Sequence, residues 1–183
     1  MRDGLRLRIQ AAGRFTPPAG SLSEQERVLV FRAVQAVIEA DGFLAQPGAD
    51  LLMSLREELQ LHHVTDFGPD LTADELRGSG LSAAAKDYLC YMVLLSGFAD
   101  GVMTDGEREV IDGLCAALDL DERRRAEIQS ACQRAILEAT ILMNLPEVIS
   151  SSDLAQRYCR ELGLDGDSLE QVADAILQSL AEA

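Results

Sequence analysis

One block of this chain occurs twice, and that repeat limits what the chain can fold into. Residues 94–120 read LLSGFADGVMTDGEREVIDGLCAALDL. An apolar run reaches Ala99-Asp100-Gly101, a turn follows, and Thr104 with Glu107 three residues later makes the capping-box pattern that opens a helix. Val110, Ile111, Leu114 and Leu118 then recur at helical spacing and form one apolar stripe. Ala40-Asp41-Gly42 precedes Ala99-Asp100-Gly101 by 59 positions, and the register continues without a gap. Leu44 pairs with Met103, Leu51 with Val110, Leu52 with Ile111, Leu55 with Leu114, Leu59 with Leu118 and Leu61 with Leu120. Chance does not keep an apolar stripe in phase over that span. The pattern predicts an internal duplication of a helix–turn–helix hairpin.

The remaining sequence extends this into an all-α bundle of about seven helices. Ser23 with Glu26 is a second capping box, opening a helix to about Ala40 with Val30, Val34, Val37 and Ile38 buried and Phe31 and Ala33 at its edges. A helix from about Pro47 to Leu59 follows, with the proline in its first turn. His62 to Asp70 is a loop, and Thr72 with Glu75 signals a short helix before Gly78-Ser79-Gly80. Ser82 caps the helix that is apolar nearly all round from Tyr88, hence the most buried. After the Asp100 corner, a long amphipathic helix from Asp121 to about Met143 carries Ile128, Cys132, Ala135, Ile136, Ala139 and Met143 on one side. Two more helices flank the turn at Leu164-Asp165-Gly166-Asp167, the first ending at Gly163 with Leu154, Tyr158, Cys159 and Leu162 inward, the second from near Ser168 with Val172, Ala175, Ile176, Leu177 and Leu180. Three segments result: an arm over 1–22, with Leu5, Leu7 and Ile9 alternating as in a short strand, a helical domain over 23–145, and a C-terminal helical pair over 146–183 packed on the same domain.

Composition narrows the function. With 16 basic against 31 acidic residues the formal charge is −15, which repels phosphate backbones and anionic lipid. Nucleic acid is thereby excluded as a partner, and a basic patch on another protein is favoured; a second copy of the chain is a further partner. No stretch approaches the ~20 apolar residues that span a bilayer, and the first residues lack the apolar core of a signal peptide. Cys90, Cys115, Cys132 and Cys159 have no C-x-x-C spacing and fall in apolar helices as small hydrophobes, so the cytoplasm is the expected location.

Ala99, Asp100, Gly101, Met103, Thr104 and Glu107 form a pattern that resembles the TerB-like domain family, named for tellurite-resistance proteins and also found beside J-domains in membrane-anchored co-chaperones. The first copy carries Ala40, Asp41, Gly42 and Leu44, with Gly48 where the pattern has glutamate. The resemblance covers about residues 24–143 and implies an all-helical fold with a stress-related or adaptor role, not a known reaction.

The acidic corner is the one constellation that suggests chemistry. Asp41, Asp100, Asp105, Glu107 and Glu109 are the candidate oxygen ligands for a hard divalent cation, Ca2+ or Mg2+. It is not an EF-hand, because placing Gly106 at the loop glycine puts Gly101 and Met103 at ligand positions. The same residues also suit a tight turn and a first helical turn, where the dipole favours negative charge. The first copy has Gln46 and Gly48 in place of Asp105 and Glu107, which disfavours a symmetric metal pair. His62 and His63 have no third histidine to complete a zinc site and read as surface residues. Arg123-Arg124-Arg125 reads as a solvated turn, or as a basic run facing the acidic body. No nucleophile elbow, P-loop, dinucleotide fingerprint or Glu-x-x-His occurs. A non-catalytic interaction module without an obligatory cofactor is the expectation, a cation-binding protein the alternative, and an enzyme the third.

Overall fold

A computed structural model describes residues 15–18, 20–42, 46–98, 103–144, 148 and 152–181. Eight helices account for most of them: α1 (Glu24–Ile38), α2 (Gln46–Glu58), α3 (Ala73–Gly78), α4 (Ala83–Ser96), α5 (Asp105–Ala117), α6 (Glu122–Met143), α7 (Ser152–Glu161) and α8 (Gly166–Ala181). The fold is all-α among the described residues. The alternating arm at Leu5 to Ile9 lies outside them.

Contacts divide the chain into a body, Gly13–Gln129, and a C-terminal unit from Ser130, with α6 running through the division. The C-terminal unit has its own core of Leu137 and Ile141 from α6, Ala155 and Cys159 from α7, and Val172 and Ile176 from α8. In the body, α1 packs on α2, α4 and α5, while α5 also packs on α3 and α4. With neighbours on several sides α1 has little room for an edge, so Phe31 and Ala33 are buried along with Val30, Val34 and Val37. α4 is buried along most of its length, as its composition demands, from Tyr88 to Val93 without a break. It stops at Ser96, with Gly97 as its C-cap, short of Ala99.

Local signals set the helix starts. Ser23, Thr72, Ser82 and Thr104 each stand at an N-cap and accept a bond from the N–H three residues on. Ser23 and Ser82 are 59 positions apart, and so are the two ends of α2 and α5. Gln60 and Asp119, at the same interval, are the two non-glycine residues with positive φ among those described, at 55° and 51°. Each follows its hairpin's second helix. At Gln60 the stop is a Schellman pair, with the Leu61 N–H donating to Arg56 O and the Gln60 N–H to Glu57 O, both at 3.0 Å.

Arginines hold the linker between the hairpins. Arg27 donates to Leu59 O, and Arg56 to the carbonyls of Leu61, His62 and Val64. Arg32, buried within α1, makes a fork onto Glu75 at 2.6 and 3.0 Å and reaches Pro69 O at 2.6 Å. Phe67 stacks on Phe31 with Arg56 over its ring. Two of the three arginines in the basic run are pinned to the acidic body rather than simply solvated: Arg124 bonds Asp87 and Glu127 and covers Phe15, and Arg125 reaches Asp112 at 3.2 Å, while Arg123 stays exposed. Phe15 is itself buried against Tyr91.

Candidate functional site

The first corner meets the start of α5. α1 ends at Ile38, Gly42 takes a left-handed φ of 72°, and its N–H closes the turn on Glu39 O at 2.8 Å. The turn seats Asp41 against the first turn of α5: a Cβ added to Gly106 would lie 2.5 Å from Asp41 Oδ1 and 3.8 Å from Ala40 O. Glycine at 106 is what allows that approach. The contact also has an electrostatic reason, since the N-terminal turn of a helix carries partial positive charge and Asp41 brings a carboxylate to it.

The expected site residues divide by role. Glu107 is occupied with capping: its Oε2 accepts from the Thr104 N–H at 2.8 Å and the Thr104 hydroxyl at 3.2 Å, while its own N–H donates back at 3.1 Å. Asp41, Asp105 and Glu109 are exposed. Asp100 lies outside the described residues. Among the described residues no three histidine, cysteine, aspartate or glutamate side chains converge as metal ligands do. What the arrangement does provide is an end of the body where the carboxylate of Asp41 lies against the first turn of α5, with Asp105 and Glu109 also exposed. His62 and His63 are exposed, and His63 Nε2 is 3.3 Å from Glu24.

At the other end of the α4–α5 hairpin, a helix length of about 20 Å away, lies a groove of about 430 Å³. Leu76, Leu81 and Leu118 form its floor, and Arg77, Lys86 and Asp119 its polar rim. Lys86 is the only lysine in the chain. Arg77 is paired with Asp74. Sequence reading missed this groove; the solitary lysine was the available signal, but its neighbours come from three helices.

The helix starts at this end are tied by one side chain that local reading assigned to α1 alone. Glu26 accepts from the Ser23 N–H at 2.8 Å and the Ser23 hydroxyl at 2.9 Å, and also from the Ser82 N–H at 3.0 Å. Bonds from Ser82, its side chain first, with those from Ser23, outweigh burial and hold the Glu26 carboxyl down at about 2. Glu58, by contrast, is pushed above its ordinary value by desolvation, opposed by the Tyr88 hydroxyl that donates to it at 2.8 Å.

Comparison with family models, with curated proteins and with solved structures gives no match to this chain.

Proposed function

We propose that this chain is a non-catalytic helical interaction module of the TerB-like kind, built on a duplicated hairpin, which presents its acidic corner to a basic surface on another protein. The observation that carries this reading is the seating of Asp41 on Gly106. It brings the exposed Asp41, Asp105 and Glu109 to one end of a body that already bears a large negative charge. Such an end accelerates encounter with a basic partner and orients it. The 59-position recurrence of N-caps, helix bounds and left-handed stops supports the duplication. The setting we assign is the cytoplasm, in a stress-response system, in line with the tellurite-resistance resemblance and with four buried cysteines that form no disulfide.

The test is binding of a fluorescent oligo-arginine peptide by the full chain. The corner variant Asp41→Asn, Asp105→Asn, Glu109→Gln is compared with an equal loss of charge elsewhere, Glu57→Gln, Asp66→Asn, Asp70→Asn. An exposed pair contributes up to about 1 kcal/mol, so the corner variant weakens binding about tenfold or more while the control stays near wild type. Equal weakening in both variants refutes a dedicated corner.

A second reading, a site for Ca2+ or Mg2+, would use the exposed carboxylates of Asp41, Asp105 and Glu109. It requires a rise in melting temperature with one of those ions that Asp41→Asn abolishes.

A further inference from the structure

Two thiols meet inside the second hairpin. Cys90 on α4 and Cys115 on α5 place their sulfurs 3.7 Å apart, and both side chains are buried, at 0% and 3% exposure. A disulfide spans ~2.05 Å, so the sulfurs need to close by roughly 1.7 Å, which side-chain rotation and a small helix shift supply. The two helices already pack on each other. Cys159 is engaged elsewhere, its thiol 3.0 Å from Asp165 O in the C-terminal unit. The Cys90 hydrogen bond, more than the charge of Arg125, draws the Cys115 thiol below its ordinary range against the opposing effect of burial, which favours thiolate on the more accessible of the two sulfurs.

We propose that Cys90 and Cys115 are a peroxide-responsive pair that closes into a reversible disulfide and locks α4 onto α5. The Cys115 thiolate attacks one oxygen of hydrogen peroxide, the O–O bond breaks, and the departing hydroxide takes a proton to become water. The sulfenic acid left on Cys115 is attacked by the Cys90 sulfur, which gives up its proton. The S–O bond breaks, the S–S bond forms, and the second water leaves. Two thiols thus lose two electrons and two protons to one peroxide, and a small dithiol that reaches the pair by local opening reverses the step by exchange. Burial makes the pair selective: peroxide is little larger than the water that reaches such sites by local opening, whereas a bulky disulfide such as oxidised glutathione is kept out. The closed loop contains Gly97, Asp105 and Glu107, so oxidation tightens the corner whatever the corner binds.

The experiment treats the full reduced chain with hydrogen peroxide, then unfolds it and alkylates it with iodoacetamide. The reduced protein takes four alkyl groups, one per cysteine. After peroxide it takes two, and dithiothreitol restores four. Trypsin separates the pair cleanly, with Cys90 in Asp87–Arg108 and Cys115 in Glu109–Arg123, and the cross-linked fragment joins those two peptides. The melting temperature rises by about 5–10 °C on closure of a loop of this length. Four alkyl groups after peroxide, a link through Cys132 or Cys159, or dimers joined between chains would overturn the proposal. The wild-type peptide map decides this alone; Cys90→Ser, expected to take three alkyl groups when reduced and two after peroxide, with the sulfenic acid left on Cys115 trapped by dimedone, adds a check.

Discussion

Glu26 tests whether one carboxylate joins the starts of the two hairpins. Its oxygens take bonds from the N-cap of α1 and from the N-cap of α4, 56 residues further on. Glu26→Gln keeps an acceptor but removes the charge. Depression of the carboxyl from 4.5 to about 2 would correspond to about 3 kcal/mol if fully expressed. Glu26 is only partly buried, and solvent screening reduces that to about 1–1.5 kcal/mol, or a fall of about 3–5 °C in melting temperature for a chain of this size. The pH dependence follows from the sign. A carboxylate depressed in the folded state contributes fully above its unfolded value of 4.5, and the contribution is lost as pH falls from there toward 2. Urea unfolding followed by far-ultraviolet circular dichroism, at pH 7 and at steps toward about pH 2.5, measures both effects. Wild type exceeds the variant at pH 7, and the gap narrows steadily below pH 4.5. Equal stability at pH 7, or a gap that holds its size in acid, would refute the bridging role.

Two further changes probe the packing around the corner and the linker. Gly97→Ala places a methyl 2.7 Å from Ile111 Cδ1 and Met103 Cε, the movable tips of both side chains, so it costs no more than about 1 kcal/mol by chemical denaturation; a loss of several kcal/mol means those tips have no room to move. Arg32→Lys lacks the planar fork that meets Glu75 and Pro69, so it destabilises by about 2 kcal/mol, close to Arg32→Ala; full rescue by lysine would show that charge alone matters there.

Helix starts were legible because a cap is a local matter: Ser23, Ser82 and Thr104 bond an N–H three residues away, so the residues alone declare them. The alternation of buried and exposed positions in α5 was legible for the same reason, with Ile111, Leu114 and Leu118 inward as spaced. What escaped reading depends on partners far along the chain. Arg32 looks like a surface residue until Glu75 and Pro69 are brought to it, and Phe31 and Ala33 look like edges until α4 and α5 close over α1. The corner was half legible. Its acidic residues and Gly42 could be listed, but the approach of Asp41 to Gly106 depends on how one hairpin lies on the other. That Glu107 is taken up by its own cap followed from spacing; the exposure of Asp105 and Glu109 did not.

The arginine bonds to the linker have a consequence for how freely that segment tolerates change. Arg27 and Arg56 grip main-chain oxygens of Leu59, Leu61, His62 and Val64, and Arg32 grips that of Pro69. A carbonyl oxygen is present whatever residue supplies it. The path of the linker is therefore specified from outside, by three side chains on α1 and α2. Exposed positions such as His62, His63, Thr65 and Asp70 are left open to almost any replacement that keeps the backbone course. An insertion there is a different matter, because it shifts each oxygen away from its guanidinium. The segment is permissive in letters and strict in length.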